Sequence, residues 1–157
     1  MAFDSKLQRQ VFGRFATGVT VVTTDGSGGP HGLTANAVLS LSLAPPLVLV
    51  AVDKRAHSHK TIIDNQCFAV NILSRSQEAL SRRFAEPGPK NFSGLICKPA
   101  TTGAPILADV LAWVDCRLTQ VLPGGDHDLF LGEIVAGEFH DGDPLLYFAG
   151  GYRQLQA

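Results

Sequence analysis

A mainly β fold, an antiparallel barrel with a few short helices, is the class the sequence predicts. Three observations carry it: strand-like runs recur at short spacing, helical periodicity is confined to brief segments, and the connections are rich in glycine. An alternating βαβ sheet would need a long helical pattern between successive strands, and none is present.

The elements follow in order. Asp4 to Phe15 places Leu7, Val11, Phe12 and Phe15 at helical spacing, with Asp4 or Ser5 available as the cap. VTVVTT, the turn cluster DGSGGP and a strand entering at His31 or Gly32 form a hairpin. That second strand is expected to run from Leu33 to about Leu43. Ala44-Pro45-Pro46 interrupts it, because proline cannot donate to a strand ladder, and LVLVAV resumes through Val52. Six continuous apolar residues predict burial on both faces. Ser58 is the expected cap of a helix through HKTIIDN, CFAVNIL is a strand, and Ser76 is the expected cap of a second helix, QEALSRRFAE. From Pro87 to Pro105 the composition is loop-like, read as a lid or a dimer contact rather than a linker. Two long strand runs, VLAWVDCRLTQVL and LFLGEIVAGEFH, flank the turn PGGDHD; a short strand, PLLYFAG, and the tail GYRQLQA close the chain.

The 157 residues, 45% hydrophobic and 17% charged, are expected to form a single domain over 1–157. A net charge of −1 offers no overall field for nucleic acid or an anionic membrane. MAFDSKLQRQ lacks the apolar core of a signal peptide, and no apolar run approaches the roughly 20 residues of a membrane span, so a cytoplasmic location is expected. Cys67, Cys97 and Cys116 are odd in number and widely spaced, which predicts neither disulfides nor zinc; they are read as small buried hydrophobes. No metal site is expected at His57, His59 and His127, which lack accompanying carboxylate or cysteine ligands at suitable spacing.

Three segments could carry chemistry. Along Thr34, Asn36, Val38, Ser40 and Ser42 a strand would present small uncharged groups on one face and Ala35, Ala37, Leu39, Leu41 and Leu43 on the other. Two readings fit: a half-exposed strand, or a face on which a planar ligand lies close to the backbone. Asp53-Lys54-Arg55-Ala56-His57-Ser58-His59-Lys60-Thr61 gathers cations, histidines and hydroxyls at a strand-to-helix turn, which is either a solvated surface or a phosphate site built on a helix N-terminus. His127, in the turn GGDHD, is either solvent-exposed or a donor to a ligand, and Arg83 and Phe84 in SRRFAE are equally open. GSGGPH fails G-x-G-x-x-G, and no P-loop, nucleophile elbow or H-E-x-x-H occurs.

Together FGRFATGVTVVTT, GLTANAVLSLSLAPPLVLVAV, GDHDLFLGEI and PLLYFAGGYRQL, in this order, resemble the short-chain flavin reductase family, the reductase components of two-component flavin-dependent monooxygenases. The resemblance runs from about Arg9 to Leu155. It implies a flavin-binding split β-barrel of antiparallel, Greek-key type, a homodimer, and reduction of FAD or FMN by NADH or NADPH, with reduced flavin passing to a partner monooxygenase. It also implies that Thr34, Ala35, Asn36 and Ala37 meet the isoalloxazine edge and that Ser40 and Ser42 reach toward the ribityl and phosphate. Asp53, Lys54, His57, Ser58 and His59 would surround the phosphates, Arg83 and Phe84 would lie beside the flavin, and His127, Tyr152 and Arg153 would belong to the nicotinamide and stacking end, with His127 catalytic. The chain departs from the family at Ala37, often Ser, and at Leu39, often a hydroxyl residue. Its phosphate turn is also more basic than the usual serine-rich one, which tilts the choice toward FAD. The rival reading is a flavin-binding module on the same barrel that stores or senses flavin without turnover.

Overall fold

The computed structural model describes residues 2–90 and 92–156. The chain runs through α1 (Ser5–Phe12), β1 (Thr17–Gly18), β2 (Thr20–Thr24), β3 (His31–Ala35), β4 (Val38–Leu43), β5 (Pro46–Asp53), α2 (His57–Asn65) and β6 (Cys67–Ile72). A 3-10 turn at Arg75–Gln77 then leads into α3 (Glu78–Ala85), followed by β7 (Cys97–Pro99), β8 (Pro105–Leu107), β9 (Ala112–Gly124), β10 (His127–Phe139), β11 (Leu146–Phe148) and β12 (Gly151–Arg153). Seven strands form an antiparallel sheet in the order β3-β2-β6-β9-β10-β5-β4.

The two edge strands of that sheet, β3 and β4, are consecutive in the chain and joined only by Asn36 and Ala37. Three Cα steps from Ala35 to Val38 reach at most about 11 Å. In a flat sheet six interstrand spacings would hold the edges about 29 Å apart. The sheet must therefore curl until its edges approach at this end, and with no ladder between β3 and β4 it remains an open, split barrel, the predicted class. Valines and phenylalanines fill it: Val22, Val48, Val50, Val52, Phe68, Val70 and Phe130 are all buried. Bulges in the β9–β10 ladder, at Leu131/Gly132 and Ile134/Ala136, help these 13-residue strands to coil. Gly132 is required there, because a Cβ would stand 2.6 Å from the Phe68 ring and 2.7 Å from Cys116 Cβ.

Several sequence expectations change in detail. The strand expected over Leu33–Leu43 is broken at Asn36-Ala37, where the chain crosses from one sheet edge to the other. Side-chain alternation persists only within one paired strand, so the expected continuous polar face does not form. A further bulge pairs Ser40 with Val48 but Ser42 with Leu47, adjacent residues that point to opposite faces. LVLVAV is buried on one face only: Val48, Val50 and Val52 face the core, while Leu47, Leu49 and Ala51 are half-buried on the outer face. Ala56, not Ser58, is the N-cap of α2, and Ser58 lies buried in its first turn. Ser74, not Ser76, makes the capping box, with Gln77, ahead of α3. The loop-like segment contains the β7–β8 hairpin, and the tail folds as β12 against β11. Cys67 and Cys116 are buried as expected, but Cys97 is exposed on β7. Burial, reinforced by Asp115, pushes the Cys116 thiol up to about 12, leaving it an inert packing group.

Buried amide and carboxylate side chains tie the β7–β8 hairpin to the barrel. The Asn71 Nδ2 donates to the Val21 carbonyl and to Thr23 Oγ1, each at 3.0 Å, and its Oδ1 accepts from the Leu107 amide at 3.0 Å. Asp115 accepts from the Thr102 amide and hydroxyl. Replacing Asn71 with Leu strands these buried partners. The unfolding free energy should fall by about 3 kcal/mol, at roughly 1–3 kcal/mol for each unsatisfied group, as read from urea denaturation; a change within about 0.5 kcal/mol would show that the network is replaceable.

Candidate functional site

A cavity of about 630 Å3 opens between β3, the turn after β5, the start of α2, α3 and the loop behind it, and the β11–β12 hairpin. Its size is that of a small-molecule site. One wall is apolar, with Val19, Leu33, Ala35, Phe84 and Tyr147. The other end is polar and titratable, with His31, Asp53, Arg55, His57, Ser58 and Lys90.

Glycine shapes the floor. A Cβ on Gly32 would stand 2.7 Å from Phe84 Cε1, so the absence of a side chain lets the Phe84 ring lie against the β3 backbone. α3 is held across the cavity at both sides of Ser81. Its carbonyl accepts from Thr34 Oγ1 at 2.6 Å, and its hydroxyl meets the Tyr152 hydroxyl at 2.7 Å. The Arg82 guanidinium lies 4.8 Å from the Tyr152 ring centroid, and Tyr147 packs edge-on at 5.4 Å. Tyr152 is thus fixed by a hydroxyl, a cation and an aromatic ring together.

The polar end has an unfilled donor set. Ala56 is the N-cap of α2 and supplies no side-chain cap; the His59 amide donates to the Ala56 carbonyl at 3.1 Å, which leaves the His57 and Ser58 amides and the positive dipole end at the cavity lined by Ala56, His57 and Ser58. His31 is 3% exposed, its ring centroid lies 4.7 Å from that of His57, and neither imidazole has a hydrogen-bond partner among the described residues. Burial, and then the neighbouring His57 and Lys90, lower the His31 pKa from 6.5 to about 4. Asp53 is held down to about 2, chiefly by hydrogen bonds from Arg55 at 2.8–3.2 Å, so these two charges largely neutralise one another.

Of the sequence-derived site residues, Thr34, Ala35, Asn36, Asp53, His57, Ser58, Phe84 and Tyr152 come together on this cavity. Others do not line it. Ala37, Ser40 and Ser42 belong to the crossing and to the open edge strand β4. Lys54 and His59 turn to Asp128 on β10, at 3.8 and 2.6 Å, where His59 also packs edge-on against Phe130. Arg83 donates to the Ser93 carbonyl and Arg153 to the Tyr152 carbonyl. His127 is the first residue of β10 rather than a turn residue. It stands opposite Asp53 in the strand register, with Nδ1 2.7 Å from Asp126 Oδ1.

Residues that the motifs did not single out also line the site: His31, Ser81, Glu86, Lys90 and Tyr147. His31 closes a turn in the sequence, and only the fold stacks it on a helix 26 positions later. Among the described residues no cluster of metal-ligating side chains is found, and no helix is long and apolar enough to cross a membrane.

The lowered His31 pKa has a directional consequence. Below pH 6.5 the unfolded chain binds a proton that the folded His31 refuses, so its contribution to stability is complete above pH 6.5 and is lost as pH falls toward 4. Urea unfolding should therefore show less loss between pH 7 and pH 5 in His31→Gln than in the parent chain; equal losses would show that His31 is not neutral in the fold.

Comparison with known proteins agrees with this architecture. The sequence profile described as flavin reductase like domain matches residues 12–156. A probable flavin reductase of Rhizobium meliloti (strain 1021) is 40% identical over 151 residues, covering 96% of this chain and 49% of that protein, so the chain spans about half its length. The reductase component of 4-nitrophenol 4-monooxygenase/4-nitrocatechol 2-monooxygenase of Rhodococcus opacus is 39% identical over 144 residues, covering 92% of this chain and 77% of that one. The NADH:FAD oxidoreductase SgcE6 of Streptomyces globisporus C-1027, solved in complex with NAD and FAD fragments, superposes with a TM-score of 0.91 at 37% identity over 99% of this chain and 97% of that one. A split barrel with a cavity on its β3 side, matched over nearly all of its length, thus belongs to the flavin reductase-like domain family.

Proposed function

We propose that this chain reduces FAD or FMN with NADH or NADPH and hands the reduced flavin to a separate monooxygenase. The observation that carries the reading is the two-ended cavity, with an apolar wall continuous with an uncapped helix N-terminus and two unpartnered imidazoles. Such a cavity fits a flavin, whose ring is planar and largely apolar and whose tail ends in phosphate. The relatives' names, a monooxygenase reductase component and an NADH:FAD oxidoreductase, support the same chemistry.

A bound flavin would supply the hydride-accepting chemistry toward a reduced nicotinamide, and the protein need supply no nucleophile. What the residues do is position and exclude. Thr34, Ala35 and Asn36 border the ring, and their small side chains let it approach the strand. Phe84 and Tyr152, which line the cavity, would flank it and keep water from that side. His57, Ser58 and the first turn of α2 would hold the phosphate, with Asp53 keeping Arg55 oriented beside them. His127, opposite Asp53 in the strand register, would orient the nicotinamide or stabilise negative charge on the reduced ring. A cytoplasmic enzyme of one domain completes this reading.

The working unit is a homodimer. The β5 strand carries an apolar sequence on both faces, yet its outer row is incompletely covered. Leu39 and Leu49 are cross-strand partners, as are Ala51 and Leu129, and Leu129 and Leu122. They share one face, where Leu39 is 48% and Leu122 41% exposed. A second copy supplies the missing cover. Leu7, Val11 and Phe12 of α1 are likewise exposed and add apolar surface for the same purpose.

NADH oxidation at 340 nm should accelerate on adding FAD or FMN, and His127→Ala should lower kcat roughly tenfold with little change in flavin affinity. No oxidation with either flavin, and with NADPH also tried, would leave a flavin-storing or sensing module instead; an unchanged rate in the variant would remove His127 from the mechanism. Sedimentation should give twice the 16.7 kDa chain mass and a monomer for Leu39→Glu; a monomeric parent chain at micromolar concentration would refute the dimer.

A further inference from the structure

The two histidines at the polar end of the cavity are an unusual pair. His31 comes from β3 and His57 from the first turn of α2; their ring centroids are 4.7 Å apart with planes tilted by 50°, and both face the cavity. Buried imidazoles are normally hydrogen-bonded, because an unsatisfied buried polar group costs stability. Only His31 is buried, at 3% exposed, whereas His57 is exposed at the cavity mouth; no protein atom among the described residues accepts from or donates to either ring. Among the described residues no sealed side-chain nitrogen or oxygen lacks a partner, so the unpartnered His31 ring nitrogens open onto the cavity, where a ligand can reach them beside His57.

We propose that His31 and His57 form a proton-coupled receptor for a phosphate group, in which binding of the anion draws one proton from solvent onto the imidazole pair. The inference rests on the flavin reading insofar as the phosphate is that of FMN or the pyrophosphate of FAD.

The surrounding charges decide the sign. From α2 comes His57; from the segment behind α3 come Glu86 and Lys90; from the turn after β5 come Asp53 and Arg55, engaged with one another. β2, which pairs with His31 through Thr24, brings no charge, and α3 packs Phe84 below. His31 is therefore kept neutral by burial and by two neighbours that are or can become cationic. A phosphate placed between the ring edges and the α2 amides reverses that balance. Its negative charge favours the imidazolium, and each protonated ring then offers two N–H donors, where a neutral ring offers only one. The proton comes from solvent, and phosphate and imidazolium end as a charge-assisted hydrogen-bonded pair. An unphosphorylated flavin supplies no such charge and triggers no uptake.

The experiment counts protons. The full-length chain is titrated at pH 7 with FMN, FAD, riboflavin and inorganic phosphate by calorimetry in buffers of differing ionisation enthalpy, and the imidazole pKa values are followed by NMR. FMN should bind with uptake of a substantial fraction of one proton and riboflavin with none. Inorganic phosphate should raise the His31 and His57 pKa values. His31→Gln should abolish the uptake and weaken FMN roughly tenfold, the size of one charge-assisted hydrogen bond, while weakening riboflavin less. Equal uptake for FMN and FAD assigns the receptor to either phosphate source, and a smaller uptake for FAD assigns it to the terminal monoester. Identical uptake for FMN and riboflavin, or imidazole pKa values unmoved by phosphate in the parent chain, would overturn the proposal. If phosphate moves both imidazoles while no flavin binds, the receptor stands and the flavin reading falls.

Discussion

The two-residue crossing at Asn36-Ala37 is the constraint on which the molecule depends. It gives the chain about 11 Å in which to pass between strands that a flat sheet would hold about 29 Å apart, so the seven strands curl. Because the edges approach without pairing, β3 keeps its free edge. The cavity occupies that side, bounded by β3, α2 and α3. A fully laddered barrel would have closed the seam and left no side entrance to its rim.

Around this opening the parts are held by side chains rather than by the ladder. Ser81 links β3 to β12 through Thr34 and Tyr152, and the missing Cβ of Gly32 lets α3 settle through Phe84. The three-residue turn of Lys54 to Ala56 joins β5 directly to α2, so Arg55 and the positive end of the helix dipole line one space. Charge is then distributed in two groups. Arg55 is tied to Asp53 inside the site, and Lys54 and His59 are tied to Asp128 on β10. That leaves His31 and His57, which no carboxylate claims, as the groups whose charge a bound anion can set.

Much of the fold was legible in the residues. β-branched runs, glycine-rich turns and the proline break located the strands of the seven-stranded sheet, with β3 and β4 read as one, because each signal is local: a strand needs alternation or an apolar run, and a turn needs particular backbone torsions. The short strands β1, β7, β8 and β12 carry no such signal and were not foreseen. Errors arose where neighbouring structure overrode a local rule. Ser58 has the chemistry of a cap, yet it is buried within the first turn of α2 because the helix starts at Ala56. Cys97 has the chemistry of a core residue, yet it sits exposed on the short β7 strand. Ser40 and Ser42 alternate in sequence, yet a bulge between them separates their faces.

The sequence by itself determined the fold class and the family, and it pointed to the parts of the cavity lining that lie in continuous motifs: Thr34 to Asn36, and the turn from Asp53 to Ser58. Spacing along the chain is enough for these, since neighbours in a strand or a helical turn keep fixed relations in space. Only the tertiary structure decided which members of those motifs share a cavity, that Lys54 and His59 turn to Asp128, and that His31 meets His57. The physical reason is that these relations are set by the curl of the sheet and the packing of α2 and α3 upon it, which depend on strand pairs far apart in sequence.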